Sequence, residues 1–99
     1  MERMGIDEII GAQREEILRI AHRHGVQTIR VFGSVARGDA GPESDIDFLI
    51  DAGQDVPPWF PGGLIADLED LLGRHVDVVE QIALRPRIRE HVLAEAVPL

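Results

Sequence analysis

A chain of 99 residues with 44% apolar side chains, no cysteine and a formal net charge of -8 is expected to form one domain over positions 1–99, with no room for a second core. The acidic balance argues against a general nucleic-acid or anionic-membrane binder, and the lack of cysteine excludes disulfides and thiolate metal sites. All ten cationic side chains are arginine, which removes a phosphate-binding lysine and Schiff-base chemistry, and neither a leader nor an apolar run of about 18 residues is visible, so a cytoplasmic location is expected.

From Ile6 to His24 the spacing predicts an amphipathic helix, with Ile10, Ile17, Leu18 and Ala21 inside, Arg14, Glu15, Arg19 and Arg23 outside, and Gly25 as its stop. Thr28 to Phe32 is rich in β-branched residues and reads as a strand ended by Gly33. Ser34 is placed to cap a short helix through Arg37, and Gly38 to Ser44 forms a turn. Asp45 to Asp51 reads as a second strand, in which alternation puts Ile46, Phe48 and Ile50 on one face and Asp45, Asp47 and Leu49 on the other. A Pro/Gly-rich loop from Ala52 to Gly63 precedes a helix over Leu64 to Leu72; a strand over Val76 to Glu80 and a helix over Pro86 to Ala96 complete the chain. The expected fold is α/β (α+β), a small mixed sheet with helices packed against it.

Asp45 and Asp47 are the unusual feature of that pattern. On one strand face their carboxylates stand about 6 to 7 Å apart, and two ionised groups at that distance repel by roughly 3 kcal/mol at an effective dielectric near 20. Protonation, an arginine or a divalent cation would relieve the repulsion. Asp77, a lone acid among Val76, Val78 and Val79, faces the pair if its strand lies alongside. Three convergent carboxylates suit Mg²⁺, which takes oxygen ligands and completes its shell with substrate phosphate. Gly33 and Ser34, at a strand-to-helix junction, offer free backbone N–H groups to an anion.

The pattern G-S, ten residues, D-x-D (Gly33, Ser34, Asp45, Asp47), followed by Asp77 after a helix, resembles the nucleotidyltransferase superfamily of the polymerase β type. More narrowly, GSVARGDAGPESDIDFLI, LLGRHVDVV and RPRIREHVLAEAVPL are similar to the minimal nucleotidyltransferases that act as antitoxins of HEPN toxins, over about Glu15 to Leu99. The resemblance implies a polymerase β-like nucleotidyltransferase fold. It implies that Asp45 and Asp47 bind two Mg²⁺ ions bridging ATP, that Asp77 completes one metal site and helps deprotonate the acceptor hydroxyl, and that Gly33 and Ser34 hold the β- and γ-phosphates. It implies AMP transfer to a tyrosine hydroxyl of a partner HEPN toxin, in a complex with that toxin. This chain has no tyrosine, so its acceptor comes from outside. A binding-only antitoxin and a nucleotidyltransferase acting on a small molecule such as an aminoglycoside are the rival readings.

Arg37 lies one helical turn after Ser34, within reach of a triphosphate or of Asp39 or Glu43. Ser44 is placed to hydrogen-bond at the start of the second strand, with direct nucleotide contact as its other role. His22 and His24 are expected to be solvated, and His75 and His91 show no ligand partners at useful spacing. Arg74, Arg85, Arg87 and Arg89 read as a solvated basic face, and Trp59 and Phe60 as side chains folded onto the core, with a partner surface as the alternative for both groups.

Overall fold

The computed structural model describes residues 3–54 and 56–99. Among these, the elements are α1 (Ile6–Ile9), α2 (Arg14–Arg23), β1 (Val26–Phe32), α3 (Gly33–Arg37), β2 (Ile46–Ala52), α4 (Gly62–Leu72), β3 (Val76–Glu80), α5 (Pro86–Glu95) and β4 (Val97–Pro98), with 3₁₀ turns over Gly11–Gln13 and Gln81–Ala83.

The long first helix expected from periodicity is two helices. Gly11 takes a positive φ of 24°, turns the chain through a 3₁₀ segment and lets Ile10 enter the core at 1% exposure. On α2 the buried residues are Ile17, Ile20 and Ala21, one helical stripe at i, i+3 and i+4. Leu18 falls outside that stripe and is 40% exposed, against the expectation that it would be inside.

The four strands lie in the order β3-β2-β1-β4. β1 runs antiparallel to both β2 and β4, whereas β2 and β3 are parallel. A parallel pair needs a crossover, and α4 supplies it. β4 was not legible in the sequence: it is two residues long, with Val97 opposite Val31 and Pro98 opposite Arg30. Proline is compatible with that position because the strand is at the edge.

One face of the sheet carries the core. Ile46, Phe48 and Ile50 of β2 pack with Ile29 and Val31 of β1, Val76 of β3, Ile17 and Ile20 of α2, and Leu64 and Leu68 of α4. Each such side chain, fully buried, contributes about 1.5–3 kcal/mol. Leu49 points to the opposite face by alternation, yet it is 1% exposed; the turn over Gln81–Ala83 also packs against β2. That face is therefore closed beside Leu49 and open toward the start of β2.

Polar contacts tie the periphery together where a solvated surface was expected. His24 hydrogen-bonds Asp67 Oδ2 at 2.7 Å, linking the end of α2 to α4, and Arg23 reaches the same oxygen at 3.4 Å. Arg89 donates to the carbonyls of Gln81, Ile82 and Leu84, holding the turn that leads into α5. Arg85 and Arg87 are exposed as expected. Phe60 packs against the core, but Trp59 is 68% exposed and does not. No helix among the described residues is long and apolar enough to cross a membrane.

Candidate active site

The parallel pairing of β2 with β3 builds the site. Ile46 lies beside Val76 and Asp47 beside Asp77, so the residues just before each strand, Asp45 and His75, are neighbours as well. Because side chains alternate, Asp45-x-Asp47 and His75-x-Asp77 form a two-by-two array on one face. Asp47 lies beside Asp77 in the register, while the group whose ligand atoms come within 4.8 Å of one another contains Asp45 and Asp77 but not Asp47. His75, given no role from the sequence, completes the array: its Nδ1 is 3.3 Å from Asp45 Oδ1.

One ligand atom from each of Asp45, His75 and Asp77 lies within 4.8 Å of the others. Asp47 leans the other way, toward the β1–α3 junction, where Phe32 is its cross-strand partner. Burial, then the charges of Asp77 and Asp45 and a hydrogen bond to Asp77, push the Asp47 carboxyl above its ordinary value; Arg37 opposes the shift. A carboxylate cluster that repels itself in this way on a rigid sheet fits a divalent cation with oxygen ligands.

Gly33 begins α3 with φ +74°. A methyl group at its α-carbon would overlap Asp47 Oδ2 and stand 3.2 Å from Asp47 Cγ. Only glycine therefore combines this left-handed backbone with so close an approach of the carboxylate. Ser34 is not the helix cap; the cap position is Phe32, and Ser34 sits inside the first turn of α3. Its carbonyl accepts the Asp39 N–H at 3.0 Å.

The Gly33 N–H donates to Glu95 Oε1. Arg37 donates from Nη1 to Glu95 Oε2 at 3.1 Å and from Nε to Asp39 Oδ2 at 3.4 Å. Glu95, on α5, thus places a carboxylate across two groups suited to a phosphate, one backbone N–H and one guanidinium. No local signal marks it in the sequence, since 62 positions separate it from Gly33.

Ser44 performs the first of its two expected roles: its Oγ accepts the Gly41 N–H at 2.8 Å and closes the turn before Asp45. Arg74 Nη1 donates to the carbonyls of Gly41 and Ser44 at 3.1 and 3.0 Å. Arg74 is consequently a clamp on the loop that delivers Asp45, not part of a solvated basic face. The H-x-D of His75 and Asp77 comes to lie beside D-x-D only through the parallel register; His75, Arg74 and Glu95 all required the tertiary contacts.

The family described as nucleotidyltransferase domain matches residues 14–99. The protein adenylyltransferase MntA of Thermococcus cleftensis is 38% identical over 93 residues, which cover 93% of this chain and 90% of that one. A solved structure provisionally named a minimal nucleotidyltransferase superposes with a TM-score of 0.85 at 45% identity, over 97% of both chains. A chain from a toxin–antitoxin crystal structure with AMP-PNP shares the fold at 22% identity, with a TM-score of 0.73 over 85% of this chain and 69% of its own. With the acidic array and the glycine junction falling inside the matched segment, the chain belongs to the nucleotidyltransferase domain family and has the fold of its minimal members.

Proposed function

We propose that the chain transfers AMP from ATP to a hydroxyl, in particular a tyrosine hydroxyl, of a partner HEPN toxin, and thereby acts as an antitoxin. The observation that carries this reading is the register of Asp47 with Asp77, which sets two carboxylates side by side, one of them against Gly33 and the other close to Asp45. The name of the Thermococcus cleftensis relative supports protein as the acceptor, and the name of the structural neighbour supports a nucleotide and a toxin–antitoxin setting.

Asp45, Asp47 and Asp77 are the residues to hold Mg²⁺. When bound, the ion supplies charge neutralisation at the triphosphate and a fixed orientation for the α-phosphorus. Gly33 and Ser34 receive phosphate oxygens, which requires the Glu95 carboxylate to give up the Gly33 N–H. Arg37, released from Glu95 at the same time, is available to the triphosphate. The acceptor oxygen attacks the α-phosphorus, the bond to the bridging oxygen breaks, and pyrophosphate leaves. Asp77, at the exposed edge of the array, takes the hydroxyl proton. Since the chain has no tyrosine, it does not consume its own activity on tyrosine.

The test is to purify the chain with the product of its neighbouring gene, add Mg²⁺ and ATP, and weigh both proteins. The expected result is a gain of AMP on the partner alone, lost when Asp45→Asn and Asp47→Asn are combined. Tight binding with no change in mass would overturn transfer in favour of neutralisation by occlusion. Labelling that persists in the double variant would overturn the carboxylate assignment.

A further inference from the structure

We propose that His75 is a metal ligand of this site through Nδ1, and that the Asp45–His75–Asp77 position consequently favours a first-row transition ion such as Mn²⁺ over Mg²⁺. The proposal rests on the reading that Asp45, Asp47 and Asp77 hold a divalent cation, and it adds a nitrogen donor that this reading does not need.

The backbone fixes the position of His75. Its carbonyl accepts the Ile46 N–H at 3.0 Å, extending the β2–β3 ladder by one residue, so its Cα is held as firmly as the strands. With Asp45 on its neighbour and Asp77 two residues along its own chain, His75 has an acid on each side. The three donor atoms already lie within 4.8 Å of one another. Ligands on opposite sides of one ion stand about 4.2 Å apart at bond lengths near 2.1 Å, so small side-chain rotations close the group.

The ring turns one nitrogen toward the acids and the other toward Glu69. Nδ1 faces Asp45 at 3.3 Å, while Nε2 is 3.9 Å from Glu69 Oε2. Glu69 is itself anchored, since the same oxygen accepts the Val76 N–H at 3.0 Å. At 3.9 Å Glu69 is beyond hydrogen-bond distance of the far ring nitrogen, so what the structure offers is the near nitrogen facing the acids.

Donor chemistry then decides the preference. Mg²⁺ takes oxygen ligands and loses its water reluctantly, whereas imidazole nitrogen suits first-row transition ions, whose affinity for mixed nitrogen and oxygen sites rises from Mn²⁺ onward. Removing the imidazole should weaken the binding of Mn²⁺ and leave that of Mg²⁺ nearly unchanged.

The experiment uses the purified chain with MnCl₂ or MgCl₂ alone. Electron spin-echo modulation of bound Mn²⁺ should show one coordinated imidazole nitrogen, absent in His75→Ala. Calorimetry should show Mn²⁺ affinity falling about tenfold in His75→Ala, with Mg²⁺ affinity held. His75 is 64% exposed at its side chain, so the substitution leaves the core intact. Mn²⁺ bound without nitrogen coupling, coupling that survives His75→Ala, equal losses of Mn²⁺ and Mg²⁺ affinity, or no Mn²⁺ binding would each overturn the proposal. The two readings fail separately: missing nitrogen coupling with AMP transfer intact removes only the role of His75, whereas transfer by the Asp45→Asn, Asp47→Asn chain removes the carboxylate assignment itself.

Discussion

Gly33 and Asp47 approach so closely that the glycine α-carbon has room for a hydrogen but not a methyl group while the Asp47 carboxylate stays in place. Gly33→Ala must therefore move Asp47 as well as strain a backbone at φ +74°. The expected outcome is a stability loss of about 1 kcal/mol or more, with loss of nucleotidyl transfer well beyond what the fraction unfolded explains. Urea denaturation and a transfer assay on the same sample check it. Full transfer in Gly33→Ala would show that the close approach is incidental.

Asp47 and Phe48 are adjacent on β2 but face opposite sides, and their substitutions should have effects of opposite sign. Asp47 titrates above its ordinary value because of its burial and its acidic neighbours. Between the unfolded and folded values the folded chain holds more of this proton, so metal-free stability falls as pH rises through that range. Asp47→Asn removes that dependence. It should raise the melting temperature of the metal-free protein at neutral pH by no more than a few degrees, since water screens a half-open site, while abolishing transfer. Phe48 is fully buried, and Phe48→Ala should cost about 3–5 kcal/mol. Thermal melts with and without divalent cation separate the two; a lower midpoint for metal-free Asp47→Asn would contradict the repulsion argument.

Glu95 holds the Gly33 N–H and Arg37 that a triphosphate would use. Glu95→Ala should tighten binding of a nonhydrolysable ATP analogue severalfold, because the carboxylate no longer competes and its negative charge is gone. Calorimetric titration measures this directly. Weaker binding would instead make Glu95 a support that keeps the loop in its binding shape.

The link between α2 and α4 predicts an acid sensitivity remote from the site. The hydrogen bond with His24 is the largest effect and holds the Asp67 carboxyl below its ordinary value; burial opposes it, and a weaker hydrogen bond from Arg23 reinforces it. The sign follows: this contribution to stability is complete above the ordinary carboxylate value and is lost as pH falls through the lowered one. Asp67→Asn should lower stability at neutral pH and flatten its decline in acid. Denaturation midpoints taken from neutral pH down through the carboxylate range check this, and parallel curves for the two proteins would rule the contribution out.

Much of this protein was legible along the chain because its information is local. Period-two alternation places Ile46, Phe48 and Ile50 in the core and Asp45 with Asp47 on the other face, and glycine and proline mark where strands and helices stop. Those patterns set the elements, the mixed α/β class and the face on which the acids lie. Local patterning misjudged the break at Gly11 and the place of Leu18, since a helical stripe can be continued on paper through a residue that turns the chain. It also passed over β4, whose two residues have no periodicity to read and are strand only by pairing with β1. What the tertiary structure alone decided is which distant groups meet. Parallel register sets His75 against Asp45 and Asp77 against Asp47; Arg74 crosses to the loop before β2; Glu95 reaches Gly33 and Arg37 from the last helix. Such contacts depend on strand order and helix docking, which a single sequence does not encode in any short window, so the face on which the acids lie could be foreseen while the neighbours that complete it, His75 and Glu95 among them, could not.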